Sequence, residues 1–189
     1  MAQRTVYLGI GANLDDPATT LAEAVGALAR IPGWRMGAIS PLYRTTPVGL
    51  LDQPDFYNAA LEIHAELPDA AGDAALEVLA RCKELERLFG RVATVRNGPR
   101  RLDLDIIAID GEAILVPRPA EDGRALVVPH PAAHERLFVL APLADIAPSL
   151  RAPGWRSSAR ELRDARRTAE GEAAAVRIGA WDESARRWV

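Results

Sequence analysis

Cysteine is nearly missing from this 189-residue chain: Cys82 stands alone. A single thiol cannot staple the fold, and two- or four-cysteine metal frameworks are excluded. Cys82 falls within an apolar helical pattern, which marks it as a buried packing thiol and fits a reducing cytoplasm. Lysine is equally scarce, with Lys83 the only one, and the net charge is −3 with a pI near 5.7. That balance argues against sequence-independent nucleic-acid binding as the main task. No segment approaches the roughly 20 apolar residues of a membrane span. Met1-Ala2-Gln3-Arg4 runs straight into a strand-like segment, with no apolar stretch and cleavage site of an export signal. The expectation is a soluble, cytoplasmic protein that binds no membrane. There is no repeat of 20–50 residues, and no Gly-x-x-x-x-Gly-Lys-Ser/Thr phosphate loop.

What is present suits one domain, 1–189, with 151–189 as a C-terminal extension of unassigned role. The chain is 49% hydrophobic and 26% charged, enough apolar material for a real core. Val6–Ile10 reads as a buried strand, and Asp16 can cap a helix with Pro17 at its first position. Leu21, Val25 and Leu28 recur at helical spacing until Pro32-Gly33. Arg35–Tyr43 reads as one strand and Phe56–His64 as another. A helix begins at Asp69, with Leu76, Leu79, Leu85 and Leu88 expected on its buried face. Leu102–Ile109 is the next strand, with Asp110-Gly111 as a hairpin turn. Residues 116–124 form a loop, Leu126–Val128 is short and extended, and His134–Ala144 is a short helix. In the extension, one amphipathic helix and a strand at Val176–Ile178 are expected. The order β-α-β-β-α-β points to an α/β (α+β) fold. It is a ferredoxin-like antiparallel sheet with helices packed on its faces, plus C-terminal additions.

The strongest chemical signal is Arg100-Arg101-Leu102-Asp103-Leu104-Asp105-Ile106-Ile107. Alternation along a strand puts Asp103 and Asp105 on one face, roughly 6–7 Å apart, and Leu102, Leu104 and Ile106 on the other. Two half-dry carboxylates at that spacing repel, and a divalent cation relieves them. Oxygen ligation with few protein ligands suits Mg²⁺, which completes its shell with water and phosphate. Between Glu86 and Asp103 stand five arginines (Arg87, Arg91, Arg96, Arg100 and Arg101) and no acid. Guanidinium groups bind phosphate oxygens bidentately. Taken alone, the acidic pair could be a solvated strand edge and the arginines a solvated loop; together they fit a triphosphate bridged by metal.

Several segments read together resemble the 6-hydroxymethyl-7,8-dihydropterin pyrophosphokinase family, from Val6 to about Pro148. They are Gly9-Ile10-Gly11-Ala12-Asn13-Leu14, Ser40-Pro41-Leu42-Tyr43-Arg44-Thr45, Asp52–Ala59, Gly98–Ile106, and Val128-Pro129-His130-Pro131 followed by Glu135-Arg136. The resemblance implies transfer of diphosphate from ATP to a pterin alcohol in tetrahydrofolate biosynthesis, with AMP leaving. It implies that Asp103 and Asp105 hold two Mg²⁺ ions and that Arg91 and Arg100 bind phosphate; these four are the expected catalytic residues. Glu86, Ile106, His130 and Arg136 join Arg91 and Arg100 on the ATP side. Phe56 and Phe138 would sandwich the pterin, Asn58 would read its edge, and Thr45 and Val48 would read the remainder through their backbone. Other folate-pathway enzymes are the further partners implied. The chain departs from the family pattern at Ala93 (often Arg), Asn97 (commonly Trp) and Val127 (often Thr). Activity is expected to survive these departures with altered pterin affinity or release. Two other readings compete: another palm-type metal enzyme, and an RNA-binding sheet. The Thr45–Asn58 blocks speak against the first, and the lack of interleaved aromatics on the sheet against the second.

Overall fold

The computed structural model describes residues 1–91, 97–117 and 125–189. Its main sheet has six strands, all antiparallel where they pair. Strand β1 (Ala2–Ala12) lies between the central β4 (Phe56–Leu67) and the edge strand β5 (Asp103–Ile109). Strands β2 (Trp34–Ile39) and β3 (Leu42–Thr45) share the other edge of β4, and β8 (Ala175–Gly179) adds to β3. Taking β2 and β3 as one bent strand gives the ferredoxin-like order that the sequence implies.

The expected single strand over 35–43 is in fact broken at Ser40-Pro41. Proline has no N–H for the ladder. At the break the Ser40 side-chain oxygen accepts from the Ala60 N–H at 2.9 Å, while the Ser40 N–H donates to the Ala60 carbonyl.

Alternation along the strands sorts two cores. Val6, Leu8, Ile10 and Ala12 face helices α1 (Pro17–Leu28) and α2 (Ala71–Leu88). Asp16 caps α1, accepting from the Thr19 N–H at 3.2 Å. In α2 the expected buried face holds for Leu85 and, in part, Leu79, but not for Leu76 and Leu88. Ala74, Ala75, Val78, Cys82, Leu85 and Glu86 are buried, whereas Leu88 is 74% exposed. At about 100° per residue, Leu76 and Leu85 lie on opposite sides of a helix, so no single stripe could hold all four leucines. Cys82 is fully buried, and burial pushes its thiol up to about 12, so it stays protonated and inert.

The opposite sheet face carries Tyr7, Ala60, Ile107 and Ala108 against helices α3 (Leu137–Ile146) and α4 (Ala159–Glu170). A bulge in the β1–β5 pairing lets Ile107 and Ala108 both turn to this side. The expected helix over 134–144 begins instead at Leu137, after a 3₁₀ turn at Ala133–Glu135. Helix α4 is the expected amphipathic helix, opened by a capping box between Ser158 and Glu161. Asp110 and Gly111 adopt positive φ as a tight turn requires. The strand that follows, β6 (Ile114–Val116), leaves the main sheet and pairs with β7 (Leu126–Val128), so the turn does not close a hairpin on β5. Two short strands, β9 (Trp181–Asp182) and β10 (Arg187–Trp188), form a terminal hairpin that the sequence reading lacks. No described helix is long and apolar enough to cross a membrane.

Candidate active site

A cleft opens on the α3 face of the sheet, and period-2 alternation decides what lines it. Asp103 and Asp105 project into it from β5, and Ile107 follows them. Across the β1 register, Asp103 pairs with Gly11 and Asp105 with Gly9. Glycine on the middle strand leaves the floor open beside both carboxylates. At Gly11 the space is needed: a methyl group there would come within 2.6 Å of the Asn58 side-chain oxygen. One row therefore crosses the sheet as Asp103, Gly11, Asn58, Tyr43. Strand spacing puts Asp103 and Asn58 about 10 Å apart.

The charged end is tightly networked. Arg91 donates to one Asp103 oxygen at 2.6 Å and Arg100 to the other at 2.7 Å. Arg91 also pairs with Glu86, whose Oε1 accepts the Leu104 N–H at 2.9 Å. Glu86 is only 1% exposed and takes Lys83 on its other oxygen at 2.8 Å. It is thus neither a helix-surface acid nor a cleft wall. It ties α2 to β5 and steers Arg91 from behind. The nearby Asp103 and Glu86 charges hold Arg91 more firmly protonated than an isolated guanidinium.

Asp105 differs from Asp103. Burial, and then the Asp103 charge, push its carboxyl up to about 6. The repulsion expected of the pair is therefore felt at Asp105, while Asp103 is answered by two arginines. Among the described residues no three or more His, Cys, Asp or Glu side chains are grouped to hold a metal. The candidate cation ligands are the two aspartates, oxygen donors facing one cleft. That donor set fits a hard ion that keeps waters and takes phosphate oxygens.

His130 and Arg136 line the same end. The His130 N–H donates to the Ile107 carbonyl at 3.0 Å, and its Nδ1 accepts the Ala132 N–H at 3.2 Å. Burial and Arg136 lower its basicity, so the ring is neutral with its hydrogen on Nε2. Ile106 is elsewhere. Its side chain packs into the core under α1 and α2, and Ile107 lines the cleft in its place.

The other end of the cleft is aromatic. Phe56, Phe138, Thr45, Val48 and Asn58 all line it. Asn58 is 8% exposed and donates from Nδ2 to the Thr45 hydroxyl at 2.7 Å. Each ring lies under a guanidinium: Arg100 is 5.9 Å from the Phe56 centroid, and Arg136 5.6 Å from that of Phe138. The same two arginines thus touch both ends of the cleft. Asn97 also lines it, at a φ of 59° that asparagine tolerates better than a bulky side chain. Val127 is 38% exposed in β7 and is not a lining residue. Ala93 and Arg96 lie outside the described residues.

Asn13 escapes a reading by motif chemistry, which treats it as a turn residue. It is 3% exposed and fully engaged. Its Nδ2 donates to Gln53 and to the Pro54 carbonyl, both at 3.0 Å, and its Oδ1 accepts the Arg100 N–H at 2.8 Å. Gln53 in turn donates to the Asn97 carbonyl at 2.8 Å. These bonds fasten the loop before Phe56 to the loop that presents Arg100. The only sequence signal was its place in a matching block; no spacing rule finds it.

A ferredoxin-like sheet with paired carboxylates and arginines at one end of a cleft, and rings with a buried amide at the other, defines the class as an α/β protein whose cleft suits an anionic ligand beside a flat one. The comparisons specify it. A family model described as 7,8-dihydro-6-hydroxymethylpterin-pyrophosphokinase (HPPK) matches residues 7–148. The chain is 40% identical over 156 residues to the 2-amino-4-hydroxy-6-hydroxymethyldihydropteridine pyrophosphokinase of Pseudomonas aeruginosa, covering 82% of this chain and 88% of that protein. It is 45% identical over 144 residues to the enzyme of the same name from Methylorubrum extorquens, covering 76% and 83%. The chain belongs to the HPPK family, and so to the pyrophosphokinases that transfer a pyrophosphoryl group to hydroxymethyldihydropterin in folate biosynthesis. A solved Plasmodium falciparum HPPK-DHPS, with pterin and p-hydrobenzoate, superposes with a TM-score of 0.72 at 15% identity, which speaks to the fold. It covers the whole of this chain, which spans about half (49%) of that longer one.

Proposed function

We propose that this chain uses ATP as donor, with Mg²⁺ held by Asp103 and Asp105, and that the cleft binds the two substrates end to end. The observation that carries the reading is the row across the sheet, with acids and guanidiniums at one end and rings with a buried amide at the other. In this reading Arg91, Arg100, His130 and Arg136 face the polyphosphate. Glu86 acts through Arg91, and Ile106 can contribute only main chain. Phe56 and Phe138 stack on the pterin, Asn58 reads its hydrogen-bonding edge, and Thr45 and Val48 complete that wall.

The pterin hydroxymethyl oxygen attacks the β-phosphorus of ATP, and AMP departs. Two magnesium ions bound at the aspartates would supply charge neutralisation along the polyphosphate. The chain's own contribution is alignment. Arg91 and Arg100, whose hydrogen bonds go to Asp103, can exchange that carboxylate for phosphate oxygens of like charge. Arg100 also lies over Phe56, so the residue that grips phosphate borders the ring that receives it. A cytoplasmic setting accords with the single buried thiol. Work beside other folate enzymes accords with relatives in which the matched region is part of a longer chain. One is the fol1 protein of Schizosaccharomyces pombe, 32% identical, where the match covers 85% of this chain but 20% of that protein.

The deciding experiment measures AMP formation from ATP with and without the pterin alcohol, and with and without Mg²⁺. AMP should appear only when all three are present. AMP formed without the pterin, or at full rate after chelation, defeats the reading.

A further inference from the structure

The C-terminal segment lies beyond the stretch matched by the family model, yet it is woven into the sheet beside the aromatic end of the cleft. Strand β8 pairs with β3 in a defined register, Thr45 opposite Ala175 and Tyr43 opposite Arg177. Ala175 is 2% exposed and shares a small core with Tyr43 and with Leu137 and Ala141 of α3. Leu137 directly precedes Phe138. Tyr43 also donates to Asp145 of α3 at 2.7 Å. So β8 stands where two carriers of the ring wall meet: β3, which ends at Thr45, and α3, which bears Phe138.

The segment is then pinned at its far end. Ala180 and Val189 exchange backbone hydrogen bonds at 2.8 and 2.9 Å, closing the β9–β10 hairpin. Trp188 packs edge-on against Trp181 with centroids 4.8 Å apart. Its indole N–H donates to the Ser40 carbonyl at 2.9 Å, at the break between β2 and β3.

We propose that β8, fastened by the Trp188–Ser40 hydrogen bond, is a positioning element that sets the pterin-binding geometry of Thr45 and Phe138. The proposal rests on the pterin placement given above. The sheet order makes it selective. Strand β8 and the acid-bearing β5 are opposite edges, four strand spacings or about 19 Å apart. A disturbance at β8 should reach the ring wall first and the aspartates of β5 least, with Arg136, which precedes Leu137, the phosphate-side residue nearest to it in the chain.

Two full-length variants test it. Ala175→Leu overfills the small core and forces β8 off β3 or α3. Trp188→Phe keeps an apolar ring but removes the donor to Ser40. Calorimetry should read the Kd of the pterin alcohol and of a non-hydrolysable ATP analogue separately, with thermal unfolding as a check on fold. Expected are losses in pterin affinity of about tenfold for Ala175→Leu and about threefold for Trp188→Phe, with nucleotide affinity within about twofold. Should Ala175→Leu fail to fold, Trp188→Phe decides alone. Unchanged pterin affinity in the folded variants, or equal losses for both ligands, overturns the proposal. Asn58→Ala is run beside them. If it weakens pterin binding while the β8 variants do not, the brace falls and the pterin placement stands; if Asn58→Ala has no effect, both fall.

Discussion

The two ends of the cleft are held in shape by different forces. At the charged end, geometry comes from a chain of ion pairs running from Lys83 through Glu86 and Arg91 to Asp103, with Arg100 closing the far side. At the aromatic end it comes from the elements that carry the rings, β4 and α3, from one buried hydrogen bond between Asn58 and Thr45, and from a guanidinium over each ring. Ion pairs between side chains can be exchanged for ion pairs with a ligand; packed rings cannot be exchanged, only filled. The charged end should therefore govern rate, where charge moves, and the aromatic end affinity, where a flat ring is buried.

The sharpest way to break that contrast is to remove an acid. Asp105→Ala should lower turnover by about 10³-fold or more. Asp103→Ala should do the same but also cost stability, because Arg100 loses its carboxylate partner and Arg91 keeps only Glu86. Near-wild-type AMP production by both variants would end the metal assignment. Arg100→Ala comes next, with a loss of about 10²-fold in kcat against a smaller change in ATP affinity. A pure KM effect would show instead that Arg100 binds ground state and transition state alike.

At the aromatic end, Asn58→Ala should weaken pterin binding by roughly ten- to a hundredfold, the effect of losing a buried polar partner, and leave nucleotide binding unaltered. Titration with each ligand separately distinguishes these outcomes.

Smaller effects sharpen the comparison. The Asp105 carboxyl sits near 6, above its ordinary value, so folding favours its protonated form. That contribution is complete below about pH 4 and is lost as pH rises through about 6. In chelated protein, Asp105→Asn should thus be the more stable form at pH 7.5, by up to about 3 kcal/mol, with no advantage near pH 4. Parallel denaturation curves at both pH values would contradict this. Asn97→Trp should give the smallest change, a few-fold shift in pterin affinity. The added ring can cover the cleft but must adopt a left-handed backbone. Binding and turnover identical to wild type would mark position 97 as idle.

Much of this was legible beforehand because it depends on local periodicity. Asp103 and Asp105 share a face because strand side chains alternate, and Asp16 caps α1 because its oxygen reaches the Thr19 N–H. The failures have equally physical sources. A bulge, invisible in one strand's own sequence, turns Ala108 to the same side as Ile107, whereas Ile106 lies in the core where alternation puts it, so its side chain is not on the nucleotide side that the resemblance implies. Four leucines in α2 suggested a stripe, but of them only Leu85 joins the alanines, Val78 and Cys82 on the fully buried face. Glu86, expected on the nucleotide side, lies behind Arg91 instead, and nothing local shows that Leu104, Lys83 and Arg91 converge on it.

By itself the sequence determined the antiparallel α/β layout, the acidic pair, the arginine-rich loop and the family, since each rests on residue type at short range. Only the tertiary structure decided which charges neutralise one another, that Asn13 joins the loop before Phe56 to the loop that presents Arg100, and that β8 pairs with β3 beside Thr45. Those features depend on contacts between residues tens of positions apart, which close only when strand register and helix packing are set together.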